Sequence, residues 1–130
     1  MLLFGHKFIK SESFYHITDS DAIQKTPPSS TLYIHFSEDN LDIIEYVNEN
    51  EISFALSVKN INELIYASAL NASYIVVESE LAKTAQSIAE NYLFDAKILT
   101  LISKEEEIEE MALLGIDGIL YSNAIIKINS

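Results

Sequence analysis

From Thr31 onward the chain repeats. Runs of apolar and β-branched residues begin near Thr31 (TLYIHF), Ile52 (ISFALSV), Tyr74 (YIVVE), Lys97 (KILTLI) and Gly118 (GILY), so successive starts fall 21, 22, 23 and 21 residues apart. Each interval has room for one helix and two short turns. Apolar residues three and four apart, such as Leu64, Ala67 and Leu70, place those helices over residues 40–48, 61–70, 81–92 and 105–114. One helix per connection gives right-handed crossovers and hence parallel neighbours, and strands this uniformly apolar are expected where both faces of a sheet are covered. The spacing therefore predicts an α/β fold: a single domain with a five-stranded, mostly parallel sheet and alternating helices, open and flavodoxin-like. The alternative is a partial (β/α)8 barrel, and periodicity alone does not separate the two.

Helix punctuation follows the same repeat. Ser103 with Glu106, and Asn60 with Glu63, have capping-box spacing. Gly115, Asn48 and Asn71 fall where a left-handed residue ends a helix, and Ile116 can fold back on Ile108, Met111 and Leu114. Residues 1–30 are less regular. Leu2 to Ile9 and Ser13 to Ile17 read as a hairpin or two edge strands, Thr18 or Ser20 can cap a short helix, and Pro27-Pro28 stops it. The domain thus spans residues 1–130, with regular units from 31.

Charge narrows the partners. Eight Lys and Arg against 20 Asp and Glu leave −12, which repels phosphate backbones and anionic lipid, so neither nucleic acid nor a membrane surface is expected. A hydrophobic content of 48% places this acid on the solvated faces of a folded domain. The chain has no cysteine, which excludes thiolate metal sites, thiol nucleophiles and disulfides. No apolar run approaches the roughly 20 residues that span a bilayer, so the expectation is a cytoplasmic protein.

In a parallel α/β sheet the ligand crevice lies at the carboxyl ends of the strands. The residues there are Ser37, Glu38, Lys59, Glu78, Ser103, Ser122 and Asn123. Of these, Lys59, Glu78, Ser103, Ser122 and Asn123 are the candidate ligand-binding set. Lys59 is its one cation, with Glu78 as an acid–base partner, although Ser37, Ser79 and Ser103 as helix caps and a solvated Lys59 explain these residues more simply, without a ligand. His6, His16 and His35 have no ligand spacing, so no metal and no other cofactor is expected, and no catalytic constellation stands out.

The stretch from Ile102 to Lys127, in particular Gly115-Ile-Asp-Gly-Ile-Leu-Tyr-Ser-Asn-Ala-Ile-Ile-Lys127, resembles the closing strand-helix-strand of phosphate-binding (β/α)8 barrels of the tryptophan synthase α-subunit type. That resemblance implies a phosphate held by bare backbone of glycine-rich loops. Here Thr100, Leu101 and Ser122 stand at the glycine positions. The same region is similar to the end of glycerophosphodiester phosphodiesterases, but the chain has no His-Arg pair with which to run that chemistry. Over more of its length the chain resembles a degenerate response-regulator receiver domain. That likeness puts Glu38-Asp39 at the acidic pair, Glu78 at the phosphoacceptor, Thr100 or Ser103 at the hydroxyl and Ser122 at the lysine, and so implies a receiver that cannot be phosphorylated. Together these readings predict a non-catalytic interaction or regulatory domain, homodimeric or with a protein partner. The alternative is a small binding protein or enzyme for a phosphorylated metabolite, with a degenerate barrel-type phosphate site for a small anionic ligand.

Overall fold

The computed structural model describes residues 1–128. The five expected strands are Thr31–His35 (β3), Phe54–Ser57 (β4), Tyr74–Val77 (β5), Lys97–Ile102 (β6) and Gly118–Tyr121 (β7). Three more join them: Leu2–Phe4 (β1), Phe14–His16 (β2) and Ile125–Lys127 (β8). The sheet has eight strands in the order β1-β7-β6-β5-β4-β3-β2-β8, and every pairing is parallel. The five-stranded expectation is therefore corrected. So is the N-terminal hairpin, because β1 and β2 do not pair with each other but join β7 and β3; of the alternative, two edge strands, β1 is one, whereas β2 lies between β3 and β8.

The helices are Leu41–Glu49 (α1), Ile61–Ala69 (α2), Ser79–Asn91 (α3) and Glu106–Leu114 (α4). Because strand order runs without reversal from β2 to β7, right-handed crossovers put every helix on one side. The two buried clusters show this. Leu32, Ile34, Phe54, Leu56, Ile75 and Ile98 pack with Ile44, Leu64, Ala85 and Met111 of the helices. The alternate positions Tyr33, Ala55, Val76, Leu99 and Leu120 pack with Phe4, Phe14 and Ala124, with no helix residue among them. An open flavodoxin-like sheet would carry helices on that second face.

What covers it is the sheet itself, rolled into a partial-barrel shape. β7 leads through a three-residue turn, Ser122–Ala124, into β8, with β1 beside the first and β2 beside the second. The two ends of the sheet meet there: the rings of Phe4 and Phe14 lie 5.0 Å apart, and both reach Tyr74 of the central strand β5, at 5.7 and 5.3 Å. The interior is crowded. A Cβ on Gly118 would stand 2.6 Å from Leu99 Cδ2 and 2.8 Å from Leu2 Cβ, so only glycine lets β7 lie between its neighbours.

Local punctuation is partly as expected. Asn60 Oδ1 accepts from Glu63 N at 2.9 Å, as the box requires, but Glu63 Oε1 accepts from Lys59 N, one residue before the cap, so the reciprocal half of the box is displaced. The Ser103 box does not: α4 begins after Glu105 without a side-chain cap. Ser37 caps the short 3-10 turn Glu38–Asn40, whereas Ser79 is the first residue of α3 and caps nothing. Asp19, rather than Thr18 or Ser20, caps the short turn Ser20–Lys25. Gly115 and Asn71 have positive φ, but Asn48 lies inside α1 and Glu51 takes the left-handed role after it.

Candidate functional site

Alternation along the strands decides which side chains the roll presents at its carboxyl-end mouth. Phe14 and Ile125 belong to the inner cluster and are register partners, so two residues on, His16 and Lys127 are partners on the same face. His16 is also paired with the buried Tyr33 of β3, and His35 follows two residues later beside Ser57 of β4. The outcome is a polar cluster on four adjacent strands, β8, β2, β3 and β4. The His16 and His35 rings meet edge to face at 4.6 Å, and each is within 5.5 Å of the Tyr33 ring. His35 Nδ1 and Ser57 Oγ share a hydrogen bond.

Electrostatics mark the cluster as unusual. Burial, then the charges of His35 and Lys127, hold the His16 imidazole below its ordinary value, so it is neutral at pH 7. Its Nε2 is shut off from solvent and has no hydrogen-bond partner among the described residues. Burial raises the Tyr33 hydroxyl; Ser57, hydrogen-bonded to it, opposes that rise and Glu78 adds to it.

The sequence-predicted residues distribute as follows. Glu78, Ser103 and Ser122 line one pocket of about 240 Å³ with Ser79, Leu101 and Glu107, at the carboxyl ends of β5, β6 and β7. Glu78 links this pocket to the histidine cluster through its effect on Tyr33. Asn123 is not part of it: its Nδ2 donates to Gly5 O at 2.7 Å and ties the β7–β8 turn to the end of β1. Lys59 is exposed in the turn before α2, where its backbone N–H is taken by Glu63. His16, His35 and Lys127 were not in the predicted set. The signal that would have found them is a repeated pattern, Phe14-Tyr-His16 and Tyr33-Ile-His35, an aromatic and a histidine two apart on one strand face.

A serine bonded to a histidine invites an acyl-transfer reading, which needs backbone donors for an oxyanion. The two N–H groups that follow Ser57 are occupied, Val58 N by Val76 O at 3.0 Å and Lys59 N by Glu63 at 2.9 Å. No group of three metal-ligating side chains forms among the described residues. A larger groove of about 560 Å³ lies at the amino ends of the strands, along Pro27–Ser30 and Glu51–Ser53, but it has no histidine or lysine and lies at the end opposite the conserved chemistry of parallel sheets. No helix among the described residues is long and apolar enough to cross a membrane. Compared with known families and curated proteins, the chain matches no family model and no curated sequence.

Proposed function

We propose that this is a non-catalytic binding domain that takes a small polar ligand at the carboxyl-end mouth of its rolled sheet. One observation carries the reading: two imidazoles lie in ring contact at the mouth, an exposed His35 against a half-buried His16 whose Nε2 is shut off from solvent and has no partner among the described residues. Polar groups held at such a cost mark sites of function more often than of stability. The barrel likeness of the C-terminal stretch supports the same end of the molecule, although without glycine loops it lends nothing to a backbone-held phosphate. The test is a titration of 15N-labelled protein with a library of small polar compounds. Binders should move the amide signals of residues 16, 33, 35, 57, 78 and 103 and leave those of 29–30 and 51–53 in place; binders confined to the second group would overturn the reading.

A second reading, association through protein contacts, has its own observation. Tyr92, Leu93 and Leu113 are 75, 85 and 83% exposed at the ends of the successive outer helices α3 and α4. Large apolar side chains left this bare favour a protein partner or a second copy. Sedimentation of wild type and Leu113→Lys tests it: a dimer that dissociates in the variant supports association, and a monomer with no partner-dependent shift sinks it.

A further inference from the structure

We infer that the ligand of the mouth is a small anion, a carboxylate or a phosphate monoester, held between Lys127 of β8 and the imidazoles of His16 and His35, with affinity that rises as pH falls. The inference rests on the mouth reading above and adds the ligand's charge. The chain has no arginine, so an anion site in it must be built from lysine and histidine. Register brings these together in one place. Lys127 and His16 are partners on neighbouring parallel strands, facing the same side, and the His35 ring touches that of His16. Three basic side chains thus converge in a protein of net charge −12, and among the described residues none of the three is bonded to a carboxylate. By contrast His6, the remaining histidine, already holds Glu105 Oε1 at 2.9 Å.

The groups facing the pair are Tyr33 on β3, Ser57 on β4, Lys127 on β8 and, from the end of β5, Glu78, whose charge falls on Tyr33. Only Glu78 opposes an anion. When the site is empty, burial and then the charges of His35 and Lys127 disfavour the protonated form of His16. An anion seated between the imidazoles and Lys127 offsets that penalty, so binding draws in a proton. Tyr33 and Ser57 bond within the cluster, Tyr33 to Ser57 and Ser57 to His35, and so hold the His35 ring in place.

The experiment uses the imidazole C–H proton signals of the three histidines in the full chain, followed at about pH 6 and about pH 8 with sodium acetate, inorganic phosphate or glucose at matched ionic strength. At the lower pH the His16 and His35 signals should move saturably with acetate or phosphate while His6 stays in place. The apparent Kd should weaken at least ten-fold at the higher pH, and at least five-fold in Lys127→Gln, an exposed position whose change leaves the fold intact. Which anion saturates first separates carboxylate from phosphate. A response that does not saturate, is equal at both pH values or survives Lys127→Gln unchanged overturns the inference. Movement with glucose alone overturns it while leaving the mouth reading standing, and silence with all three compounds removes both.

Discussion

Thr100 is fully buried in the middle of β6, and its Oγ1 has no hydrogen-bond partner among the described residues. A hydroxyl withdrawn from water without a partner costs about 1–3 kcal/mol, and valine has nearly its shape. Thr100→Val should therefore stabilise the domain by about 1 kcal/mol, read as a higher urea midpoint at unchanged m-value; a lower midpoint would mean that the hydroxyl has found an acceptor. His16 works in the opposite sense with pH. Its folded pKa lies below the ordinary 6.5, so on acidification the unfolded chain takes up the proton first. The stability it contributes is whole above 6.5 and is lost as pH falls through the folded value. Urea midpoints between pH 8 and pH 5 should drop more in wild type than in His16→Gln, and parallel curves would refute the assignment. Neither effect was legible in the sequence. Both depend on which side of a strand a residue faces and on what its neighbouring strand places beside it, and a residue string carries no register.

Helix ends were read more reliably than helix starts. Gly115 has φ 87°, its N–H reaches both Met111 O and Ala112 O, and Ile116 N returns to Met111 O, which seats Ile116 in the outer core. A Cβ at Gly115 would meet nothing within 4 Å, so the requirement is purely conformational. Gly115→Val should cost about 1 kcal/mol or more, because a β-branched residue is strained at that φ, whereas Gly115→Asn should cost less. Equal thermal midpoints for Val and wild type would contradict this. The start of α4 was misread because Ser103 precedes the helix by too much, and Glu105 is drawn instead to His6. Asp117 shows what spacing cannot tell. In the Gly-x-Asp-Gly stretch its carboxylate accepts from Ile98 N at 2.9 Å and its own N–H donates to the buried Gln86, fastening β6, β7 and α3 together. The motif's acid is a structural clasp, and Gln86, buried on a helix that reads as amphipathic, gave no sign of it.

At the scale of the molecule the α/β class and the repeated strand-helix order were legible, since both follow from periods of two and of 3.6 residues. The number of strands and the closure were not. β1, β2 and β8 are three residues each, too short for alternation to register, and they are strands only because β7, β3 and β2 respectively offer them an edge. The sequence-derived residues lie at the carboxyl ends of the strands by the same topology; that reading named Lys59, and it is register that brings Lys127, His16 and His35 together. Phe14 is fully buried where the ends meet, against Phe4 and Tyr74. Phe14→Ala should cost about 3–5 kcal/mol, a large part of the stability of a domain this size, and a loss under about 1 kcal/mol would show that the interior is loosely filled.

The seam itself sets an order of events. β1 and β7 are joined by chain-distant contacts such as Asn123 to Gly5, 118 positions apart, whereas β3 to β7 accrete one neighbour at a time. Contacts of such separation repay the entropy of closing the loop only once the intervening units are in place. During synthesis β1 therefore leaves the ribosome with no strand to pair with, and β2 finds β3 long before β8 exists. Pulse-labelled hydrogen exchange during refolding should show Leu2 protected later than Leu56 and Ile75; simultaneous protection would mean that the roll closes in one step. Until it closes, the inner face that later holds Phe4, Phe14 and Tyr33 is bare, and this is the interval in which the nascent protein is open to aggregation.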